Sequence, residues 1–288
     1  RPMISNSTKR YTIQRLGVGF LTALSLFTVA MILLVILFIT IKGLSAISFE
    51  FIFGFPSDGM RAGGIFPAIL GTILLTFGTA IFCIPIGIAA AVFLSEYAQD
   101  NWLTKTVRVA IISLAGIPSV VYGLFGLGLF VIAMSLGTRI LAESLTLGIM
   151  TLPVIISTSE EALRAVPQAF RVVSISVGAT QWQTIRRIVL PQAVPGILTG
   201  VILGLERAAG ETAPILFTGA AFYLPQLPTS PLDATMALPY HLYVISTQVP
   251  GMPTNIQYGT ALVLLVIVLS LNLLATIIRA RARARRQW

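Results

Sequence analysis

Inside the apolar run "VILGLERAAGETAPILF" (201–217) stand two carboxylates and one guanidinium, Glu206, Arg207 and Glu211. Charge in such a setting is costly, so ionisable groups there face a bundle interior or a watery cavity and mark a functional site. Arg207 and Glu211 are four residues apart, on one helical face within a turn. They can pair, which lowers the cost of holding either charge. A guanidinium also suits an oxyanion, because its planar fork donates two parallel hydrogen bonds. Glu211 alone would repel an anion. It can hold Arg207 in place, or accept a hydrogen bond from a protonated oxyanion and so select against a fully deprotonated one. Thr212, between Gly210 and Pro214, suits a loosened helix beside a pathway. Glu206, adjacent to Arg207, points about 100° away on a helix and has no role yet. Two other readings fit the same residues: a pair that only fixes helix packing, and a relay or selectivity group of an ion-coupled carrier or channel.

Membrane-spanning helices must position these groups. Of 288 residues, 56% are hydrophobic and only 10% charged, against about 25% charged in a soluble domain. The apolar residues are gathered in blocks, and a span needs roughly 20 of them. Six spans are expected, at about 17–42, 68–95, 107–136, 141–158, 193–217 and 258–279. The chain is thus an all-α polytopic membrane protein with six transmembrane helices. Around the spans lie an amino-terminal segment (1–16), a long connection (159–192) and a basic tail (280–288). Fifteen of the nineteen Lys and Arg fall on one side of this topology, and only Lys42, Arg61 and Arg139 on the other. The positive-inside rule then puts both termini and the 159–192 connection in the cytoplasm.

The net charge of +9 flanks the spans, which argues for membrane topology and against nucleic acid as a partner. The tail "RARARARRQW" serves as an anchor after the last span or meets anionic lipid. No signal-peptide pattern precedes the first block, and a start upstream of Arg1 is expected. Cys83, the lone cysteine, excludes an intrachain disulfide framework and reads as a small buried hydrophobe. His241 reads as a surface or interface residue, since no acidic or Cys partner is spaced for a metal. The loop "YLPQLPTSPLDATMALPY" carries prolines at 225, 228, 231 and 239 and favours turns over a regular helix. No Walker-type phosphate loop, catalytic triad or metal cluster occurs, so the chain is not expected to hydrolyse ATP.

The cytoplasmic connection is patterned as a folded element. Phe170, Val173 and Val177 recur at helical spacing after Pro167, Gly178 marks a bend, and a second short helix follows. Ile185, Ile188 and Val189 give that second helix an apolar face, and Pro191 and Pro195 bracket the start of span five. Such an element docks another subunit or lies on the membrane as an amphipathic hairpin.

At "GATQWQTIRRIVLPQAVPGI" the chain resembles the cytoplasmic signature loop of ABC importer permeases, with Gly178, Ala179 and the "IVLP" step from Ile188 to Pro191 in register. "GGIFPAILGTILLT", "GIPSVVYGLFGLGLFV", "RAAGETAPILFTGA" and "MALPYHLYV" narrow the resemblance to phosphate-importer permeases of the PstA type, over roughly 61–280. The resemblance implies a type I importer fold in the bacterial inner membrane. It implies a pathway shared with a second, PstC-type permease, and separate nucleotide-binding ATPase subunits that bind the ATP and Mg. It also implies a periplasmic or lipid-anchored phosphate-binding protein. The chain itself would bind no cofactor. Arg207, Glu211 and Thr212 would contact phosphate, and Gly178, Ala179, Thr180, Ile188 and Pro191 would couple to the ATPase. Another oxyanion, sulfate or molybdate, is the alternative cargo, and an ion-coupled secondary carrier the more distant one; six spans without a visible internal repeat argue mildly against a carrier.

Two departures from the family pattern stand out. The Glu-Ala-Ala triplet before the glycine reads Val172-Val173-Ser174, which leaves its polar contact absent or supplied by a neighbour such as Arg171. Some relatives carry a basic residue where this chain has Ser157. With one Arg against two Glu in span five, further basic residues are expected from the partner permease, toward which Glu206 would point.

Overall fold

The computed structural model describes residues 4–284. The outermost parts of the expected amino-terminal segment and basic tail, 1–3 and 285–288, lie outside the described residues. The chain forms α1 (Ile4–Gly43), α2 (Phe49–Phe53), α3 (Phe66–Val92), α4 (Trp102–Ala115), α5 (Ser119–Gly126) and α6 (Ile140–Arg164). There follow α7 (Gln168–Ser176), α8 (Gln181–Thr184), α9 (Leu190–Gly210), α10 (Ala213–Thr218), α11 (Leu238–Thr247) and α12 (Thr254–Ala284). Among the described residues, five helices are long and apolar enough to cross a membrane, and a bent pair makes a sixth.

The core is built from α3, α6 and α9. The buried face of α3 carries small residues, among them Ala68, Gly71, Thr72, Thr79, Cys83, Gly87 and Ala91. Small side chains let helices approach closely where there is no hydrophobic drive between them. A Cβ on Gly87 would come within 2.6 Å of the Ile155 side chain of α6. Cys83, fully buried, packs with Ile155, Ala193 and Ile197 in the seam of the three helices. By contrast α1 buries nothing along its most apolar window. It lies beside α12, where Phe38 meets Tyr258 edge-on at 5.6 Å between ring centroids.

The third span is not the continuous helix expected at 107–136. After α4 the chain turns by 100° at Gly116-Ile117-Pro118, and α5 continues as a π-helical stretch, Leu127–Ala133. Proline lacks an N–H and disfavours helical geometry in the residue before it, so Pro118 stops α4 and starts α5. Hydropathy is blind to this, since the residues on both sides are equally apolar. Span five also differs. The short helix expected before it does not end at a proline break: α8, a π-helical turn (Ile185–Val189) and α9 run on as one helix from Gln181 to Gly210. Pro191 falls in the first turn of α9, and the π-turn before it is the kind of local adjustment that accommodates a helical proline.

The long outer connection caps the bundle. Ile140 and Leu141, at the start of α6, donate their backbone N–H to the Asp233 and Pro231 carbonyls, each at 3.0 Å. The otherwise orphaned donors of a helix start are thereby satisfied. Leu238 N–H donates to Thr72 Oγ1 at 2.8 Å, fixing the start of α11 to α3. The 43–65 connection closes with a two-residue hairpin, β1 (Pro56–Ser57) against β2 (Ala62–Gly63). His241, expected at a surface or interface, is buried in α11. Its Nδ1 makes no hydrogen bond among the described residues, and burial pushes its pKa down to about 4.

Candidate functional site

Helix α9 ends at Gly210, and Glu211 is extended (φ −74°, ψ 138°), within the stretch from Gly210 to Pro214 where a loosened helix was expected. Thr212 precedes α10, which has proline in its first turn, and its side chain does not cap that helix. The break leaves Arg207 in the last turn of α9 and Glu211 just beyond it. Arg207 Nε still donates to Glu211 Oε1 at 3.2 Å, with the side chains 38% and 16% exposed. The pair is a single, long contact that leaves part of the guanidinium fork open. Glu206 is half-buried and Arg207 exposed.

Tyr122 of α5 lies within electrostatic reach of Arg207 and donates its hydroxyl to the Leu114 carbonyl of α4 at 2.8 Å. It also packs with Ala208 in the core cluster. The bend after α4 therefore brings α5 against α10, just beyond the Arg207–Glu211 break. On α6, one turn before Leu147, Glu143 is fully buried, and its carboxylate makes no hydrogen bond among the described residues. It attracted no attention in the sequence because it stands at the edge of an apolar block beside Arg139.

The segment between α6 and α9 is ordered by specific contacts. Gly178 turns with φ +86°, a left-handed conformation that glycine adopts without strain. Its N–H donates to the Ile175 carbonyl at 2.9 Å, and the Ala179 N–H to the Ser174 carbonyl at 3.2 Å. Thr180 begins α8 with a capping box: Gln183 N–H donates to Thr180 Oγ1 at 3.2 Å, and Thr180 N–H to Gln183 Oε1 at 2.9 Å. Ile185 and Val189 are buried, Ile188 half-buried and Pro191 exposed. Helix α7 turns its apolar residues away from the rest of the subunit. Val172, Val173, Ile175 and Val177 are exposed, while Ser174 is buried against Thr184, hydroxyl to hydroxyl at 2.8 Å. Arg171 also turns inward. It grips Glu96 with two hydrogen bonds (3.0 and 2.7 Å) and donates to the Val166 and Leu163 carbonyls at 2.7 and 2.9 Å. Arg171 is thus committed inside the subunit and does not replace the missing acidic contact.

A second ionic cluster joins α4 to α6. Arg108 Nε donates to Glu160 Oε1 at 2.7 Å, and Arg164 Nη2 reaches the same oxygen at 3.0 Å. Ser157 lines the same cavity as Arg108. In the outer connection, Asp233 accepts from the backbone N–H of Thr229 and Ser230, both at 2.8 Å. These bonds hold its carboxyl below the usual range.

A helical bundle with a span broken beside an ion pair, and a folded segment hung between two of its helices, defines a polytopic membrane permease. Over residues 83–287, more than half its length, the chain matches the family described as binding-protein-dependent transport system inner membrane component. It belongs to that family of ABC importer permeases, and is a multi-pass inner-membrane protein. It is 35% identical to the probable ABC transporter permease YqgI of Bacillus subtilis over 252 residues, covering 83% of this chain and 85% of that protein. It is 34% identical to the phosphate transport system permease PstA 1 of Mycobacterium tuberculosis over 227 residues, covering 78% and 73%. The crystal structure of a bacterial ABC transporter involved in import of the acidic polysaccharide alginate shares its fold, with a TM-score of 0.66 at 18% identity, over 94% of this chain and 99% of that one. Permeases of this family act with a second permease, an ATPase and a substrate-binding protein.

Proposed function

We propose that the chain is the PstA-type permease of an ATP-driven phosphate importer, paired with a PstC-type permease. The observation that carries this reading is the half-exposed Arg207–Glu211 pair at the break between α9 and α10, in a chain whose relatives include phosphate permeases. Both termini and the α7–α8 segment lie in the cytoplasm in this reading, with the transmembrane region at 17–279. A periplasmic or lipid-anchored binding protein delivers phosphate to the outer mouth. ATP and Mg, bound by the partner ATPase, close the cytoplasmic subunits. The segment from Gly178, Ala179 and Thr180 to Ile188 and Pro191 passes that motion to α9. Because α8, the π-turn and α9 run on as one helix, a push on α8 is passed along that helix toward Arg207.

At the break, Arg207 offers its open donors to the anion. Glu211 keeps the guanidinium oriented and can accept a proton-bearing oxygen, and the Thr212 hydroxyl adds a neutral contact. Partner basic groups complete the charge balance. The test is uptake into proteoliposomes holding both permeases, the ATPase and the binding protein. ATP-dependent phosphate uptake that excess sulfate and molybdate do not suppress supports the reading. Uptake driven by an ion gradient without ATP, or a preference for sulfate or molybdate, overturns it.

A further inference from the structure

Between α4 and α6 lies a cavity of about 500 Å³, lined on one side by Arg108, Ile111, Ile112 and Ala115 and on the other chiefly by Pro153, Ser157, Thr158, Glu160 and Arg164. One end points toward the Arg207 site, since Ala115 follows Leu114, whose carbonyl accepts from the Tyr122 hydroxyl, and Tyr122 shares a core cluster with Ala208, the neighbour of Arg207. From Ala115 the cavity runs down α4 to Arg108, seven residues or about 10 Å at the helical rise. There two guanidiniums share one carboxylate oxygen of Glu160, and Glu161 in the same lining balances the second positive charge.

The two arginines are not equivalent. Arg108 is a structural tie, since it also donates to the Leu94 carbonyl at 2.7 Å. Arg164 is 53% exposed and has only the Glu160 contact among the described residues. Its partner Glu160 is buried, yet the contact leaves most of the Arg164 guanidinium fork turned to water at the cavity rim.

We propose that Arg108 and Arg164 form a release station, a second oxyanion site at the inner end of the pathway, with Arg164 as the residue that exchanges Glu160 for the anion. The proposal rests on the reading of the chain as an oxyanion permease. Ser157 and Thr158 add hydroxyl donors in the same cavity. Glu160, and Glu161 exposed at the rim, keep the station weak. Weakness suits it, because conduction needs a site that attracts the ion and still lets it leave.

The test uses the full complex in proteoliposomes, with the ATPase facing the lumen and inorganic phosphate as probe. Arg164→Gln keeps the Arg108–Glu160 bond. It should slow uptake about fivefold and raise by a similar factor the lumenal phosphate that halves uptake, the effect of losing one partly exposed charged contact. Assembly and binding-protein-stimulated ATP hydrolysis should stay at wild-type level, and Arg164→Lys should restore most of both losses. Wild-type uptake and wild-type lumenal inhibition in Arg164→Gln overturn the station and leave the phosphate reading standing. Lost assembly or ATP hydrolysis that Arg164→Lys does not repair marks a structural tie and also overturns it. If the wild-type complex carries sulfate or molybdate instead, the phosphate reading falls, and the same two readouts with that anion decide the station. A wild-type complex that carries no oxyanion overturns both.

Discussion

Two ion pairs in this molecule have the same chemistry and opposite environments. Arg171 and Glu96, 12% and 6% exposed, are joined by two hydrogen bonds, and Arg171 also fills two backbone carbonyls. Arg207 and Glu211 share one longer contact at 38% and 16% exposure. The first has spent nearly every donor on its own subunit and fixes α7 beneath the end of α3. The second keeps donors in reserve at a helix break. An arginine with all its donors engaged belongs to the fold, and one with open donors beside a pathway is available to a ligand. The sequence hinted at the reverse for Arg171, because exposure and commitment are not encoded in residue type.

The largest stability effect should come from breaking the buried pair. Arg171→Ala or Glu96→Ala leaves its partner charged and shielded from water, which costs about 3–5 kcal/mol. The α7–α8 segment should detach from α3, seen as loss of ATPase copurification and a lower unfolding temperature of the solubilised complex. Replacing both, with Arg171→Met and Glu96→Leu, should cost less than either single change, since no orphaned charge remains. A double variant as damaged as the singles would mean that Arg171 acts through the Val166 and Leu163 carbonyls instead.

His241 extends the comparison to a buried group with no ionic partner among the described residues. Its folded-state pKa of about 4 lies below the unfolded value near 6.5. Between those values the unfolded chain binds more protons, so stability rises with pH, and it is lost as pH falls from about 6.5 toward 4. The full swing is about 3 kcal/mol by linkage. The unfolding midpoint of the complex, followed across that window, should show this slope, and His241→Gln should flatten it. An unchanged slope in His241→Gln would place the acid sensitivity elsewhere.

These contrasts also explain what could be read from the sequence. The spans were legible because apolar blocks and flanking cations are local properties, and the Gly178 bend because few residues but glycine take a positive φ easily. The charged cluster at 206–211 was legible because charges in apolar runs are rare. The Arg171–Glu96 and Arg108–Glu160 pairs were not, since 75 and 52 residues separate the partners and no spacing rule reaches that far. The period of α7 grouped its apolar residues correctly onto one face but carried no information on which way that face turns. Pro118 was visible, yet its 100° turn depends on α5 finding a place against α10 and α6.

On the exposed side of the same segment, Gly178→Ala should cost less than the buried changes. Nothing lies within 4 Å of a Cβ placed there, so only the left-handed backbone is penalised, by about 1–2 kcal/mol. Assembly should survive, with ATP hydrolysis less responsive to loaded binding protein. A Gly178→Asn variant, which tolerates that conformation better, should recover part of the coupling. Equal loss in both variants would point to the added side chain blocking the partner, not to backbone strain.

Arg207→Ala should disturb the fold least and transport most. An ion pair this exposed contributes no more than about 1 kcal/mol to stability, and Thr212 and Gly210 already accommodate the break. If the guanidinium meets the anion, losing its charge-assisted hydrogen bonds removes about 1.5–3 kcal/mol of binding, or roughly 10- to 100-fold in rate at 1.36 kcal/mol per decade. Arg207→Lys, which keeps the charge but not the planar fork, should fall between. Glu211→Gln then asks what the carboxylate does. If it only orients Arg207, uptake should drop modestly with unchanged anion preference. If it accepts the proton of the substrate, sulfate should compete better than before. An Arg207→Ala complex that assembles normally and imports phosphate at the wild-type rate would reduce this pair to a helix-packing contact. Its open donors would then be an accident of exposure, and the distinction from Arg171 would lose its functional meaning.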